Sequence, residues 1–221
     1  MAHAFDVIVV GVGSMGASTC WHLAKRGLKV LGLEQGPIPN PEASFAGATR
    51  AIRLSYTEHP DYVPLLQGAY EKWEILEEEC GEELLRLTGA LYMGPEEGDL
   101  VSGASRSAKE HDLSHSLYTH NELYQNWPQF KLPDSFVGLY EERAGYLLSE
   151  RAVEAFVKEA RRHGADIRGG QMVTSWSAGD TGVKVCTGGE EYFAEHLVMA
   201  AGAWAGKLLG NLDISLRVTR Q

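Results

Sequence analysis

Two arginines, Arg50 and Arg53, stand at i and i+3 in the stretch SFAGATRAIRL (44–54), among small and apolar residues. No acid lies between Glu42 and Glu58. A guanidinium in such a stretch either pairs at the surface with one of those flanking acids or is available to an anion. Its planar fork suits bidentate pairing with a carboxylate, as a lysine does not. A fixed cation also stabilises negative charge that develops during a reaction. A second group with chemical meaning lies near the N-terminus. Gly11, Gly13 and Gly16 spell G-x-G-x-x-G, and Glu34 follows them.

The elements around the glycines give the motif its weight. FDVIVV (5–10) is a short apolar run that suits a strand buried on both faces. From Ser14 to Arg26, Ala17, Trp21 and Ala24 recur at helical spacing, and Gly27 is the stop. Lys29 to Leu33 reads as a second strand that Glu34 closes, completing a βαβ unit. In this setting Gly11 allows the tight turn, Gly13 lets backbone approach a pyrophosphate, and Gly16 lets the helix pack on the sheet. The N-terminus of the Ser14 helix offers N–H groups and a positive dipole end to phosphates. The Glu34 carboxylate suits an adenosine ribose diol and disfavours a 2′-phosphate, which argues against NADP.

The remaining pattern leans from nicotinamide to flavin. A loop (35–49) precedes a helix predicted from Tyr62 to Cys80, with Leu66, Ala69, Tyr70, Trp73 and Leu76 inward and Glu77 among the residues of its wet face. A strand at 88–95, helices at about 100–111 and 120–128, and a hairpin at 136–150 turning near Glu142 to Gly145 form an α+β layer. Ser149 is placed to cap a helix ending near His163. Strands at 166–176, 182–187 and 190–194 read as an antiparallel meander, and HLVMAAGAW (196–204) as a last apolar strand. A nicotinamide enzyme usually continues with further βα units; this interrupted order suits FAD. The fold class is therefore α/β with an α+β insertion. It comprises an FAD-binding Rossmann-like domain with parallel sheet and β-meander, plus part of an antiparallel substrate domain. The expected division is 1–85 with 147–221 for FAD and 86–146 for the insertion.

Composition narrows the function classes. Thirty acids against 20 bases give a formal charge of −10, without a basic run, which argues against nucleic acid. No apolar run reaches the roughly 18 residues of a membrane span, and no signal peptide is visible. Cys20, Cys80 and Cys186 show no metal-ligand spacing and read as reduced thiols, with Cys20 and Cys186 in patterns that favour burial. His111, His115 and His120 read as surface histidines, so no metal is expected. These features point to the cytoplasm, and a peroxisomal tag beyond residue 221 is compatible with them.

The chain resembles the monomeric sarcosine oxidase and N-methyltryptophan oxidase family of FAD-dependent amine oxidases. The resemblance covers nearly the whole sequence. It rests on FDVIVVGVGSMG, on S-x-x-G-x-T-R-x-I-R (44–53), on YVPL (62–65), on GYLLSE (145–150) and on AGAW (201–204). The arginine segment is the most specific of these. The resemblance implies oxidation of an amino acid or secondary amine at its C–N bond to an imine, with oxygen reduced to hydrogen peroxide. It implies Arg53 as the carboxylate ligand and Arg50 as the cation against the flavin ring, with the backbone at Val173 near the adenine. It extends the cofactor set from Gly11, Gly13, Gly16 and Glu34 to Ser14, Met15, Gln35, Ser44, Thr49, Arg50, Ala201, Gly202 and Trp204.

Two departures accompany it. Relatives commonly read S-H-H-G-D-T-R where this chain has SFAGATR, so Ala46 and Ala48 replace a histidine and an acid. Neither alanine can donate or accept a proton, which points to a different amine or slower turnover. Phe45 makes that side more apolar. The sequence also ends at LRVTRQ, with Arg220 where relatives have an arginine before their next strand. The family pattern then implies a further half carrying the flavin-linking cysteine and the oxygen-activating lysine, so the sequence reads as a truncated product, a fragment or one partner of a split assembly. The sheet edge and apolar surface left without that half would suit association with it or in a homo-oligomer. Two other functions fit the residues: an FAD dehydrogenase serving a quinone or carrier protein, and a non-catalytic nucleotide-binding half.

Overall fold

A computed structural model describes residues 5–212, Ile214 and Leu216; Arg220 and the rest of the LRVTRQ end other than Leu216 lie outside the described residues. Two compact units divide the chain. Met1–Ala48 and Leu148–Gln221 form the first, and Thr49–Leu147 the second.

The first unit is built on β1 (Phe5–Val10), α1 (Ser14–Lys25) and β2 (Val30–Leu33). β1 is buried from Val7 onward, as a two-sided strand must be. It pairs parallel with β2, Val7 opposite Val30 and Val10 opposite Leu33. The second unit then intervenes, with β3 (Arg50–Ile52), α2 (Val63–Cys80), β4 (Leu85–Leu87), β5 (Ala90–Pro95), α3 (Asp99–Glu110), β6 (His115–Tyr118), α4 (His120–Asn126), β7 (Phe136–Glu141) and β8 (Gly145–Leu147). The first unit resumes with α5 (Ser149–Arg162), β9 (Asp166–Arg168), β10 (Val173–Gly179), β11 (Gly182–Thr187), β12 (Glu191–Met199) and the short α6 (Ala205–Leu208).

Six strands of the first unit form one sheet in the order β10-β11-β12-β1-β2-β9. The meander pairs antiparallel, but β12 also runs parallel to β1, Val9 opposite Val198. The stretches expected as two strands, 190–194 and 196–204, are thus one strand reading both neighbours. The stretch 166–176 is two strands: β9 joins β2 in parallel, and only β10 enters the meander. Ile8, Leu31, Leu33, Val185 and Tyr192 share a core. Trp21 of α1 packs against Phe156 of α5 with ring centroids 5.4 Å apart.

The second unit holds two three-stranded sheets, β3-β8-β4 and β5-β7-β6. The hairpin expected at 136–150 does not form. β7 pairs with β5 and β6, while β8 pairs with β3 and β4. The unit also begins at Thr49 where the sequence suggested 86, because β3 ladders onto β8 and Tyr70 of α2 packs with Ile52, Leu54 and Leu85. α2 ends at Gly81 in the left-handed conformation (φ 72°). Glu77, expected on the wet face, instead accepts the Leu84 and Leu85 amides at 2.5 and 2.7 Å. Among the described residues no helix is long and apolar enough to cross a membrane.

Candidate functional site

Three parallel strand ends meet around the glycine turn. Gly11 N donates to Leu33 O, and Ala200 N to Val10 O, each at 2.8 Å. Gly11 has φ +90°, and a Cβ there would stand 2.5 Å from Ala200 O, so only glycine fits. A Cβ on Gly16 would collide with the Gly11 carbonyl, so this glycine packs the helix onto its own entry turn. Gly13 differs. Its φ of −78° suits any residue, and a Cβ would meet only the Phe45 ring at an ordinary 3.5 Å. The protein's own backbone and packing therefore do not require a glycine at 13.

The acid at the end of β2 is fixed from three sides. Glu34 is 5 % exposed and accepts from Val12 N at 2.8 Å, Gly36 N at 3.2 Å and Asn40 Nδ2 at 3.0 Å. Buried carboxylates persist when bonded in this way. Asn40 also accepts from Glu42 N at 2.9 Å, tying the proline-rich loop to the acid. α1 begins with neither a side-chain cap nor an acid in its first turn, so its positive end is available to an anion.

These parts border one cleft of about 470 Å³ at the carboxyl ends of the strands, within the volume range of ligand pockets. Gly11, Gly13, Ser14, Met15, Glu34 and Gln35 line one part of it. Ser44, Phe45, Val173, Ala201, Gly202 and Trp204 line the rest. Gly16 does not; it lies beneath the turn. Sequence reasoning missed Asn40, Gln171, Met172 and Lys207, which also face the cleft. Asn40 and Gln171 carried no signal beyond their place in turns. Met15 and Met172 hold large apolar side chains 75 % and 58 % exposed there, surface that a bound ligand would cover.

Thr49, Arg50 and Arg53 belong to the second unit and are not among the residues lining this cleft. Arg50 opens β3, is exposed and donates to Thr49 O at 2.8 Å. Arg53 is half-buried. Its guanidinium lies 4.8 Å from the Tyr56 ring centroid, and Glu58 approaches only to 4.0 Å, the outer limit of ion pairing. Its Nε is enclosed without a hydrogen-bond partner among the described residues. The surface pairing with Glu58 open to it from sequence is therefore weak, and Tyr56 is the residue that sequence reasoning overlooked.

Among the cysteines, Cys20 is buried and its thiol is pushed up to about 12 by burial; Cys186, expected to be buried, is only half so. Ser149 is the first helical residue of α5 and not its cap. Its hydroxyl donates to Gly47 O at 2.6 Å, while Glu150 accepts Gly47 N at 2.8 Å.

The glycine turn, the helix terminus and the buried acid at the next strand end define a dinucleotide-binding protein. A sheet that passes from parallel into an antiparallel meander places it among α/β flavoproteins. Residues 6–221 match the family model described as FAD dependent oxidoreductase, and the chain belongs to that family, whose cofactor is FAD. It is similar to the monomeric sarcosine oxidase of Streptomyces avermitilis, 38 % identical over 100 % of this chain and 58 % of that protein. N-methyl-L-tryptophan oxidase of Yersinia pestis (strain Pestoides F) is 32 % identical over 96 % of this chain and 57 % of that protein. The chain thus spans somewhat over half the length of these curated relatives. Among solved structures it is similar to the open form of NikD, an unusual amino acid oxidase essential for nikkomycin biosynthesis. The TM-score is 0.84 at 29 % identity, covering 96 % of this chain and 55 % of that one. Glycine oxidase from Geobacillus kaustophilus shares the fold, with a TM-score of 0.81 at 23 % identity over 97 % of this chain and 60 % of that one.

Proposed function

We propose that the protein oxidises the C–N bond of an N-methyl or other secondary amino acid to an imine, with oxygen as the electron acceptor. The cleft carries this reading. It joins an open Gly13, the first turn of α1 and the buried Glu34, which fit the pyrophosphate and ribose of FAD. Bound FAD would supply the two-electron acceptor for the oxidation. Ser14 and Met15 would offer backbone N–H groups to phosphate, Glu34 would accept from the ribose hydroxyls, and Val173 would flank the adenine. Ser44, Gln35, Ala201, Gly202 and Trp204 complete the enclosure.

Arg53 would bind the substrate carboxylate. Its support is a half-buried guanidinium that, among the described residues, has no partner at Nε and no acid nearer than 4.0 Å. Arg50 would supply positive charge for negative charge that develops on reduction, and Thr49 precedes it on the same segment. The names of the relatives support the substrate class, since sarcosine is N-methylglycine. Ala46 and Ala48, which precede the arginines in the sequence, carry no side-chain proton donor or acceptor.

The test is flavin content followed by peroxide release. Purified protein should show flavin absorbance, and N-methylglycine or a bulkier N-methyl amino acid should release peroxide. Arg53→Ala should raise KM at least tenfold with flavin content unchanged. Normal turnover of a carboxylate substrate by Arg53→Ala would remove that residue from the reading. Substrate-dependent reduction of a dye or quinone without peroxide would reject oxygen as the acceptor.

A further inference from the structure

Glu141 closes β7 with its side chain only 1 % exposed, and none of the chemistry above uses it. Its carboxylate accepts three hydrogen bonds: Leu54 N at 2.6 Å, Ser55 N at 2.9 Å and the Tyr92 hydroxyl at 3.0 Å. Two of the donors are the consecutive amides that follow Arg53. Leu54 and Ser55 are themselves buried, so these bonds are shielded from water.

The two oxygens hold two successive peptide planes, and the first plane is the one leaving Arg53. On the other side, Ile52 is fixed by its ladder position opposite Gly145. Arg53 therefore sits between two immobilised points, and its Cα–Cβ direction is set by both. The side chain then lies on Tyr56. Burial and Glu141 raise the Tyr92 phenol, while the Arg53 charge acts on it in the opposite sense, so the carboxylate, the phenol and the guanidinium share one electrostatic neighbourhood.

We propose that Glu141 is a positioning residue for Arg53, setting the direction of its guanidinium and hence the protein's affinity for carboxylate-bearing substrates. The proposal rests on Arg53 as the carboxylate anchor. Bidentate pairing tolerates little angular error, so a small rotation of the 53–54 peptide is enough to weaken it.

Two variants of the FAD-loaded protein separate positioning from stability. Glu141→Gln keeps the volume but turns one acceptor into a donor against a backbone amide. Tyr92→Phe removes the third bond and leaves both backbone bonds in place. The Kd for N-methylglycine should rise tenfold or more in Glu141→Gln and stay within threefold in Tyr92→Phe, even if both melt at lower temperature. Equal weakening in the two variants, following their loss of stability, would overturn the proposal. So would unchanged binding by Glu141→Gln when Arg53→Ala has lost it. Full binding by Arg53→Ala would instead remove the anchor on which the proposal stands.

The wild-type protein supplies a check that needs no variant to fold. N-methylglycine and acetate should each slow amide exchange at Leu54 and Ser55 severalfold, and dimethylamine, which has no carboxylate, should not. A ligand that moves the Arg53 Nε–H resonance and leaves both amides unchanged would show that the clamp and the anchor are uncoupled.

Discussion

At the scale of single residues, the three glycines of one motif answer to different forces. Gly11 and Gly16 are required by the protein's own backbone, whereas Gly13 faces open cleft. Gly13→Ala should therefore keep its stability within about 0.5 kcal/mol and lose FAD affinity. Gly16→Ala should cost about 1–3 kcal/mol through overpacking and lose FAD as well. Denaturant melts beside flavin titrations would distinguish them; equal destabilisation by both variants would contradict the ligand reading of Gly13. The motif was legible because the residue type, strand and helix all lie within one short segment. Asn40 and Glu141 were not. Each is defined by which backbone amide or carboxylate it reaches, and for Glu141 those amides lie in the loop after β3, far away along the chain. An isolated Asn or Glu carries no trace of such a partner.

Elements longer than two turns were read well for a related reason. α1, α2, α3 and α5 repeat their apolar positions often enough to declare a period, and glycine stops mark several of their ends. β3 and β4, three residues each, contain no period at all and exist because β8 pairs with both. The local turn signal between β7 and β8 was real, yet each strand found its partners elsewhere. One element also holds a loop that sequence left unassigned. The first turn of α5 grips Gly47 twice, through the Ser149 hydroxyl and the Glu150 carboxylate. Ser149→Ala and Glu150→Ala should each cost about 1 kcal/mol. Both should speed exchange at the Gly47 amide and proteolysis within 44–48, next to the cleft-lining Ser44 and Phe45. Protection at Gly47 unchanged in Glu150→Ala would show that the loop is held by other contacts.

The whole molecule divides into two units whose buried acids differ in kind, and this sets their response to alkali. In the first unit Cys20 is held protonated by burial, its pKa raised to about 12 from an ordinary value of 9.0. In the second, burial raises the Tyr70 and Tyr92 phenols, and the Glu141 charge raises them further. A group whose folded pKa is raised gives stability that is complete below its unfolded pKa and is lost as pH climbs toward the folded value. For the first unit that loss begins near pH 9 and ends near 12, at about 1.4 kcal/mol per pH unit once the unfolded thiol is ionised. For the second it begins only near the ordinary phenol value of 10.0. Between about pH 9 and 10 the first unit should therefore weaken while the second holds. Amide exchange at Ile8 and Leu31 should accelerate with pH beyond its intrinsic trend, and exchange at Leu54 and Leu139 should not. Cys20→Ala will lower stability at every pH through the cavity it leaves, but its slope in this window should flatten, because the titrating group is gone. A first unit whose stability stays level across that window in the wild type would mean that the thiol is not kept protonated. Exposed phenols such as Tyr62 and Tyr124 ionise early. The later loss in the second unit should therefore coincide with the part of the tyrosinate absorbance that Tyr70→Phe and Tyr92→Phe remove, and appearance of that part well before the amides open would place Tyr70 and Tyr92 in contact with water.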